Sequence, residues 1–209
     1  MLPRKLLQIN PIISEQIEPD ELLIILQELE RTLNLNIEGD IVEFGCFAGT
    51  TSLFLQRLIL ELAPKKKLYL YDSFQGLPEK SQQDLSAAGQ DFIAGELIAT
   101  KSQLKLNFKK ANLSLRNVKI KKAWFSDLKT KDLPDKICFA FLDGDFYSSI
   151  QNSLNLIKDK VAAGGIIIID DYSNPALPGA KKAVDQFLKL NQNFKLTKIT
   201  HSLALIKLS

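Results

Sequence analysis

Two continuous apolar runs constrain the fold of this chain more than any other feature. They are ICFAFL at residues 137–142 and IIII at residues 166–169. A strand with one face in water alternates apolar and polar residues, whereas runs without alternation are typical of strands buried on both faces. Such strands belong to parallel sheets that are covered by helices on either side. The sequence therefore predicts an α/β protein.

Strand and helix patterns alternate along most of the remaining chain. The chain has 209 residues, which suits a single domain. We divide it into an N-terminal helical extension, residues 1–38, whose helix packs outside the sheet, and a catalytic core, residues 39–209. Two strands near the C-terminus are joined by a short turn, so the last strand is expected to be antiparallel. We predict strands at 40–44, 67–71, 118–122, 137–142, 166–169, 194–199 and 202–208, and helices at 20–33, 50–62, 97–113, 148–161 and 181–190.

Acidic residues follow the predicted parallel strands. Right-handed crossovers bring the carboxyl ends of such strands to one edge of the sheet, where ligands bind. The C-terminal hairpin is expected to lie away from this edge, so the lone histidine, His201, is not proposed as a catalytic base. The residues expected to share one crevice are Glu43, Asp72, Asp143, Asp145, Asp170 and Asp171.

A glycine turn follows the first strand and precedes a helix. A P-loop would need a lysine before Thr50, and the dinucleotide fingerprint would need a glycine where Phe47 stands. The turn at Gly45 and Gly49 therefore suits a nucleoside without phosphates, or it is an ordinary strand–helix turn. Asp72 is placed to accept hydrogen bonds from both ribose hydroxyls. These features together describe a site for S-adenosylmethionine, whose positive charges would suit the nearby carboxylates.

The paired aspartates at the next two strand ends also require an explanation. Carboxylates held close together raise each other's pKa and destabilise the fold. A divalent cation removes that penalty, and oxygen ligands favour Mg²⁺, with Ca²⁺ or Mn²⁺ as substitutes. The alternative is that one or two of them cap helices, which would account for one aspartate at each strand end but not for two.

The composition limits which classes of partner and which cellular compartment we expect for this chain. The net charge of +3 and the scattered lysine clusters, such as 65–67 and 119–122, favour a solvated surface over a nucleic-acid stripe. No apolar run is long enough to span a bilayer, and the first residues lack the pattern of a secretion signal. Cys46 and Cys138 do not make a disulfide framework, so we expect a cytoplasmic protein.

Five segments, taken in order, resemble the macrocin O-methyltransferase (TylF-type) family. They are GDIVEFGCFAGTTS, YDSFQGLPE, the stretch around AWFSD, FLDGDFYSS and GGIIIIDDY, within residues 40–187. The resemblance implies a class I methyltransferase with a Rossmann-like, seven-stranded, mostly parallel sheet whose last strand is antiparallel. It further implies methylation of a hydroxyl on a sugar or other small natural product, with S-adenosylmethionine and Mg²⁺.

The same resemblance assigns roles to residues. Asp145 would be the general base. Apart from the resemblance, we expect the polar and uneven loop at residues 73–90, with Phe74, Leu77 and Pro78, to form an acceptor wall or lid. Trp124 and Phe125 would border the adenine, although packing in the core remains an alternative for both. The short N-terminal region puts in doubt a lid or oligomer contact supplied there by relatives. The implied metal ligands are Asp143, Asp170 and Asp171, and the implied cofactor-binding residues are Glu43, Gly45, Gly49, Thr50, Asp72, Ser73, Trp124, Phe125 and Asp143.

Three other functions stay open beside this one. An RNA methyltransferase would need the lysine clusters on the rim of the cleft, and its binding would depend steeply on salt. A non-catalytic methyltransferase-like binding protein would have no physical need for the aspartates. A nicotinamide oxidoreductase is disfavoured by the missing glycine of the turn. We expect a small-molecule hydroxyl acceptor as partner, no nucleic acid and no membrane, and leave open whether the chain forms a homo-oligomer.

Overall fold

A computed structural model of the protein describes residues 1–208. In that range the chain forms six α-helices and seven β-strands. The helices are α1 (Leu2–Ile9), α2 (Pro19–Asn34), α3 (Thr50–Leu62), α4 (Lys101–Lys110), α5 (Tyr147–Ile157) and α6 (Pro178–Leu190). The strands are β1 (Asp40–Phe44), β2 (Leu68–Asp72), β3 (Val118–Lys122), β4 (Ile137–Leu142), β5 (Val161–Ile169), β6 (Phe194–Thr200) and β7 (Leu203–Leu208).

The strands form one sheet in the order β3-β2-β1-β4-β5-β7-β6. All pairings are parallel except those of β7 with β5 and β6, so β7 alone runs against the others. This arrangement confirms the predicted α/β class and the antiparallel last strand. The strand order reverses between β1 and β4, which opens a crevice at their carboxyl ends.

The apolar runs are buried on both faces, as their lack of alternation predicted. Phe139 and Phe141 of β4 belong to one buried cluster with side chains of α2, α3 and α4. Ala140 and Leu142, which point the other way, belong to a second cluster with side chains of α5 and α6. The sheet therefore carries helices on both faces, and its carboxyl edge remains available for a site.

Several element boundaries differ from the predictions. Helix α5 ends at Ile157 and not at residue 161, and α6 begins at Pro178 and not at residue 181. Helix α4 is shorter than the predicted 97–113, because Leu97 has a left-handed backbone and the Thr100 side chain accepts from Gln103 N to begin the helix. Strand β5 is longer than predicted and includes Gly164, which has φ +78° at an irregularity in the pairing with β4. A local apolar pattern does not reveal either deviation.

The N-terminal helices pack on the core. Helix α2 buries Leu22, Ile25 and Leu26 in the same cluster as α3 and one face of the sheet. The predicted helix 20–33 thus lies on a face of the sheet, and α1, which was not predicted, packs beside it. Among residues 1–208 no helix is both long enough and apolar enough to cross a bilayer.

Candidate active site

The glycine turn after β1 brings two strand ends into close contact. Gly45 has φ +87°, and a Cβ there would lie 1.7 Å from the carbonyl oxygen of Asp143. Any side chain at this position would therefore push β1 and β4 apart. Gly49, with φ +95°, precedes the first turn of α3. Both conformations are available to glycine at little cost, which explains the residue type at both positions.

Asp72 holds this turn in place from the end of β2. Its Oδ2 accepts from the backbone N–H groups of Cys46 at 2.8 Å and Phe47 at 2.9 Å, and its Oδ1 accepts from Phe74 N at 2.6 Å. A carboxylate with these donors is preorganised, because the fold already fixes its orientation. Asp72 also lines the pocket next to the turn, so part of the carboxylate faces open space.

This edge pocket occupies the crevice at the carboxyl ends of β1, β2 and β4. It contains about 700 Å³ of empty space, including its open mouth. Seven of the predicted site residues line it: Gly45, Asp72, Ser73, Trp124, Phe125, Asp143 and Asp145. Gly76, Leu77 and Pro78 also line it, from the loop 73–90 that was expected to form an acceptor wall or lid. Lining residues that the sequence did not indicate are Gln16, Phe47, Leu97, Gly144 and Ser149.

Phe125 packs on the core and also lines the edge pocket, so its position is compatible with both alternatives for the aromatic pair. Its ring packs edge-on against Phe44, with the centroids 5.2 Å apart, and it also lines the edge pocket. Trp124 is half-buried beside it and lines the same pocket. Packing against Phe44 therefore fixes the ring of Phe125, which also faces the edge pocket.

Three predicted cofactor-binding residues lie behind the wall of the edge pocket. Glu43 is buried and accepts from Ser52 Oγ at 2.6 Å. Burial, with repulsion from Asp72, raises the pKa of Glu43 to about 8, although the Ser52 hydrogen bond opposes the rise. Thr50 is also buried, with its hydroxyl 2.6 Å from Ser14 Oγ, and Gly49 packs against Leu104. These residues support the glycine turn without lining the edge pocket.

Three of the four aspartates converge, and this set differs from the implied metal ligands because it contains Asp145 and not Asp170. One carboxylate oxygen each from Asp143, Asp145 and Asp171 lie within 4.8 Å of one another. Burial raises the pKa of Asp145 to about 7 and raises those of Asp143 and Asp171 well above the ordinary range, with repulsion from neighbouring aspartates adding to each. Salt bridges within residues 1–208 lie elsewhere, so no lysine or arginine neutralises the group.

Asp170 is oriented differently from the other three. Its Oδ1 accepts from Ser202 Oγ at 2.7 Å and from the backbone N–H of Asp171 at 2.8 Å. Ser202 belongs to the turn between β6 and β7. The expectation that the C-terminal hairpin lies away from the aspartate edge is therefore wrong: β6 runs parallel to β5 and its turn reaches the same edge. His201 in that turn is exposed and does not line the edge pocket.

A second cavity opens on the other side of the aspartates. This acidic cavity contains about 580 Å³ of empty space and shares Gln16 and Asp143 with the edge pocket. The N-terminal segment 15–21 contributes to its wall, so the prediction that the extension packs outside the sheet misses this role. The acidic side chains that line it are Glu15, Glu18, Glu21, Asp143, Asp170 and Asp171.

The donor set fits a hard divalent cation. Carboxylates that lie together, half-buried and without a cationic partner, are the ligands that Mg²⁺, Mn²⁺ and Ca²⁺ prefer. Helix capping does not account for Asp145, because the first N–H of α5, that of Tyr147, donates to Asp84 instead. The arrangement therefore combines an open pocket with polar and apolar walls and a cation-compatible cluster at its edge.

Three features define the class I methyltransferase fold: the sheet order, the single antiparallel strand, and the glycine turn held by Asp72. The sequence profile of the macrocin O-methyltransferase (TylF) family matches residues 20–204. The chain belongs to this family.

Solved structures and curated relatives agree with that membership. The O-methyltransferase NovP superposes with a TM-score of 0.79 and 28% identity, over 91% of this chain and 80% of NovP. The calicheamicin methyltransferase CalS11 has the same fold, with a TM-score of 0.74 and 19% identity, over 99% of this chain and 90% of CalS11. Demethyldecarbamoylnovobiocin O-methyltransferase of Streptomyces niveus is 27% identical over 175 residues, which cover 78% of this chain and 63% of the relative. The chain thus spans less than two thirds of that relative's length.

Proposed function

We propose that this protein is an S-adenosylmethionine-dependent O-methyltransferase that uses Mg²⁺ to methylate a hydroxyl on a sugar or other small natural product. The observation that carries the proposal is the wall shared by the two cavities. Gln16 and Asp143 line both the edge pocket and the acidic cavity, so a methyl donor and an acceptor would meet there. Cys46 and Cys138 are buried free thiols, which suits the reducing cytoplasm in which we place the reaction.

The edge pocket is proposed to hold S-adenosylmethionine. Asp72, already oriented by three backbone donors, would accept from the ribose hydroxyls, and the rings of Trp124 and Phe125 would border the adenine. The turn at Gly45 would allow the cofactor to approach the backbone closely. Glu43, Gly49 and Thr50 are proposed to act through the shape of that turn. When bound, the cofactor supplies a methyl group activated by a sulfonium.

The aspartates are proposed to hold the divalent cation. Asp143 and Asp171 would be ligands through the oxygens that converge in the cluster, and Asp170 through the oxygen that Ser202 does not contact. When bound, the cation supplies positive charge that favours the ionised form of an acceptor hydroxyl.

Asp145 is proposed as the general base. It lies in the same cluster and lines the edge pocket, close to Asp143, which borders both cavities. Burial and repulsion from Asp170 raise the pKa of Asp145 to about 7 without a metal, and a bound cation would lower it, so that the carboxylate would be ionised and able to accept a proton at neutral pH. When the methyl group moves from the donor sulfur to the acceptor oxygen, the Asp145 carboxylate would accept the hydroxyl proton. The pocket walls, including Leu97 and Pro78, would hold both reactants in line.

A screen with labelled methyl donor tests this proposal. Sugar-bearing metabolites are incubated with the protein, the donor and Mg²⁺, and each positive reaction is repeated with a chelator. We expect label transfer that the chelator abolishes. Asp143→Ala should abolish transfer while retaining donor binding, whereas Asp159→Ala, at an exposed position on the surface, should behave as wild type. Transfer at an equal rate in the metal-stripped protein would refute the role of the cation.

A further inference from the structure

One buried carboxylate joins the loop after β2 to helix α5. Asp84 is 1% exposed, although it belongs to the polar and uneven loop at residues 73–90. Its Oδ2 accepts from Ser81 N at 2.8 Å and from Ser81 Oγ at 2.6 Å, which are contacts within the loop. Its Oδ1 accepts from Tyr147 N at 2.6 Å, and Tyr147 is the first residue of α5. The side chain therefore connects two distant segments of the chain.

The surrounding packing fixes this contact. Gly179 lies in the first turn of α6, and a Cβ there would be 1.8 Å from Asp84 Oδ1 and 2.7 Å from Tyr147 N. Glycine at this position thus leaves the space that the carboxylate occupies. Two further hydrogen bonds hold the loop nearby, from Lys182 Nζ to Gln83 O at 2.6 Å and from Ser86 Oγ to Pro175 O at 2.7 Å.

The segment just before Tyr147 has an unusual backbone. Asp145 has φ +57°, and Phe146 N donates to Gly144 O at 2.6 Å, which closes a three-residue turn around Asp145. A left-handed residue in such a turn is strained and persists only where its surroundings hold it. Strand β4 holds the turn from one side. Helix α5, whose first N–H is bound by Asp84, holds it from the other.

We propose that Asp84 is a positioning residue, which fixes the start of α5 and through it the direction of the Asp145 carboxylate. Its negative charge at the N-terminus of α5 is favourable for the helix dipole as well. Displacing the loop would release α5 and loosen the turn at Asp145. The catalytic consequence rests on the proposed function of Asp145, whereas the anchoring itself does not.

Hydrogen exchange tests the anchoring without any acceptor. In Asp84→Ala, the amides of residues 145–150 should exchange about 10- to 100-fold faster than in wild type, because a charge-assisted hydrogen bond is lost. Exchange in β1 and α3 should be unchanged, and affinity for S-adenosylmethionine should stay within about threefold of wild type. The matched control is Asp91→Ala, an exposed aspartate of the same loop. Exchange at residues 145–150 that equals the control would overturn the proposal.

A second pair of variants covers the case in which Asp84→Ala does not fold. Proline suits the first position of a helix and has no N–H, so Tyr147→Pro removes the donor from the other side. Tyr147→Ala is its control, because it removes the same ring but keeps the N–H. We expect faster exchange at residues 148–150 in Tyr147→Pro than in Tyr147→Ala. Equal exchange in the two would count against the anchor.

Turnover tests the consequence for Asp145. With an acceptor found in the screen, Asp84→Ala should lower kcat about 10- to 100-fold with little change in KM for the donor. The double variant Asp84→Ala/Asp145→Asn should be no slower than Asp145→Asn alone, since Asp84 acts through Asp145. Additive losses would contradict the positioning role. If wild type methylated no acceptor, the proposed function would fail, and the exchange experiment would still decide the anchoring.

Discussion

Replacing Glu43 by glutamine should make the metal-free protein less sensitive to pH. Glu43 is 1% exposed, and burial raises its pKa from 4.5 to about 8. An acid whose pKa is higher in the folded than in the unfolded protein favours folding only when protonated. Stability is therefore greatest below the unfolded pKa and is lost as the pH rises from about 4.5 towards about 8. Glutamine has the same shape and does not titrate.

The magnitude follows from the two pKa values. Each pKa unit corresponds to about 1.4 kcal/mol. Because the unfolded chain ionises at a lower pH than the folded protein, titration of Glu43 lowers the free energy of unfolding by about 2 kcal/mol at pH 6 and by about 4–5 kcal/mol at pH 8.5. The advantage of Glu43→Gln over wild type should widen by about 4 kcal/mol between pH 5 and pH 8.5. In a chain of this length that corresponds to roughly 10 °C in Tm.

Urea unfolding in a chelator, at several pH values from 5 to 8.5, measures this difference. The chelator keeps the site free of metal, and the aspartates of the cluster are common to both proteins. Glu61→Gln is the matched control, because Glu61 is exposed on α3, and it should follow wild type at every pH. A stability difference between Glu43→Gln and wild type that does not change with pH would refute the argument from burial.

Three further outcomes follow from the site. Mg²⁺ should raise Tm more at pH 8 than at pH 6, because the clustered aspartates ionise as the pH rises. Asp143→Ala should lose this Mg²⁺-dependent increase in Tm. An equal shift in Tm at both pH values would contradict the expectation. Asp145→Asn should lower turnover about 10²- to 10⁴-fold while keeping the Mg²⁺-dependent rise in Tm, and an undiminished rate would exclude it as the base. Gly45→Ala should lower the free energy of unfolding by about 3 kcal/mol or more in thermal unfolding, since a Cβ there would meet the carbonyl oxygen of Asp143. Gly95→Ala, which has open space around it, should lower it by about 1–2 kcal/mol. Equal losses would contradict the close approach of β1 and β4.

The features that sequence predicted correctly are those with a local signature. The unbroken apolar runs of β4 and β5 indicated strands covered on both faces, and the structure places alternate side chains of β4 in two different cores. The aspartates that end these strands had to share an edge once the strands were parallel. The short connection between β6 and β7 indicated an antiparallel last strand. Each of these inferences needs only neighbours in sequence and the handedness of crossovers.

The features that were missed depend on contacts between distant segments. Gln16 lines both cavities because the N-terminal segment crosses the carboxyl edge, and no local pattern indicates that path. Ser202 reaches Asp170 because the turn between β6 and β7 lies at the same edge, and the position of that turn depends on the sheet order. Gly179 is explained only by the Asp84 carboxylate against it. Such contacts are set by tertiary packing, which overrides local preference.

The most direct test of the central claim is the location of a bound cation. Crystals grown with Mn²⁺ and S-adenosylhomocysteine would be measured at a wavelength where manganese scatters anomalously. Our account predicts one anomalous peak among the carboxylates of Asp143, Asp170 and Asp171, beside a ligand in the edge pocket. A ligand in the edge pocket with no peak at these carboxylates would contradict it.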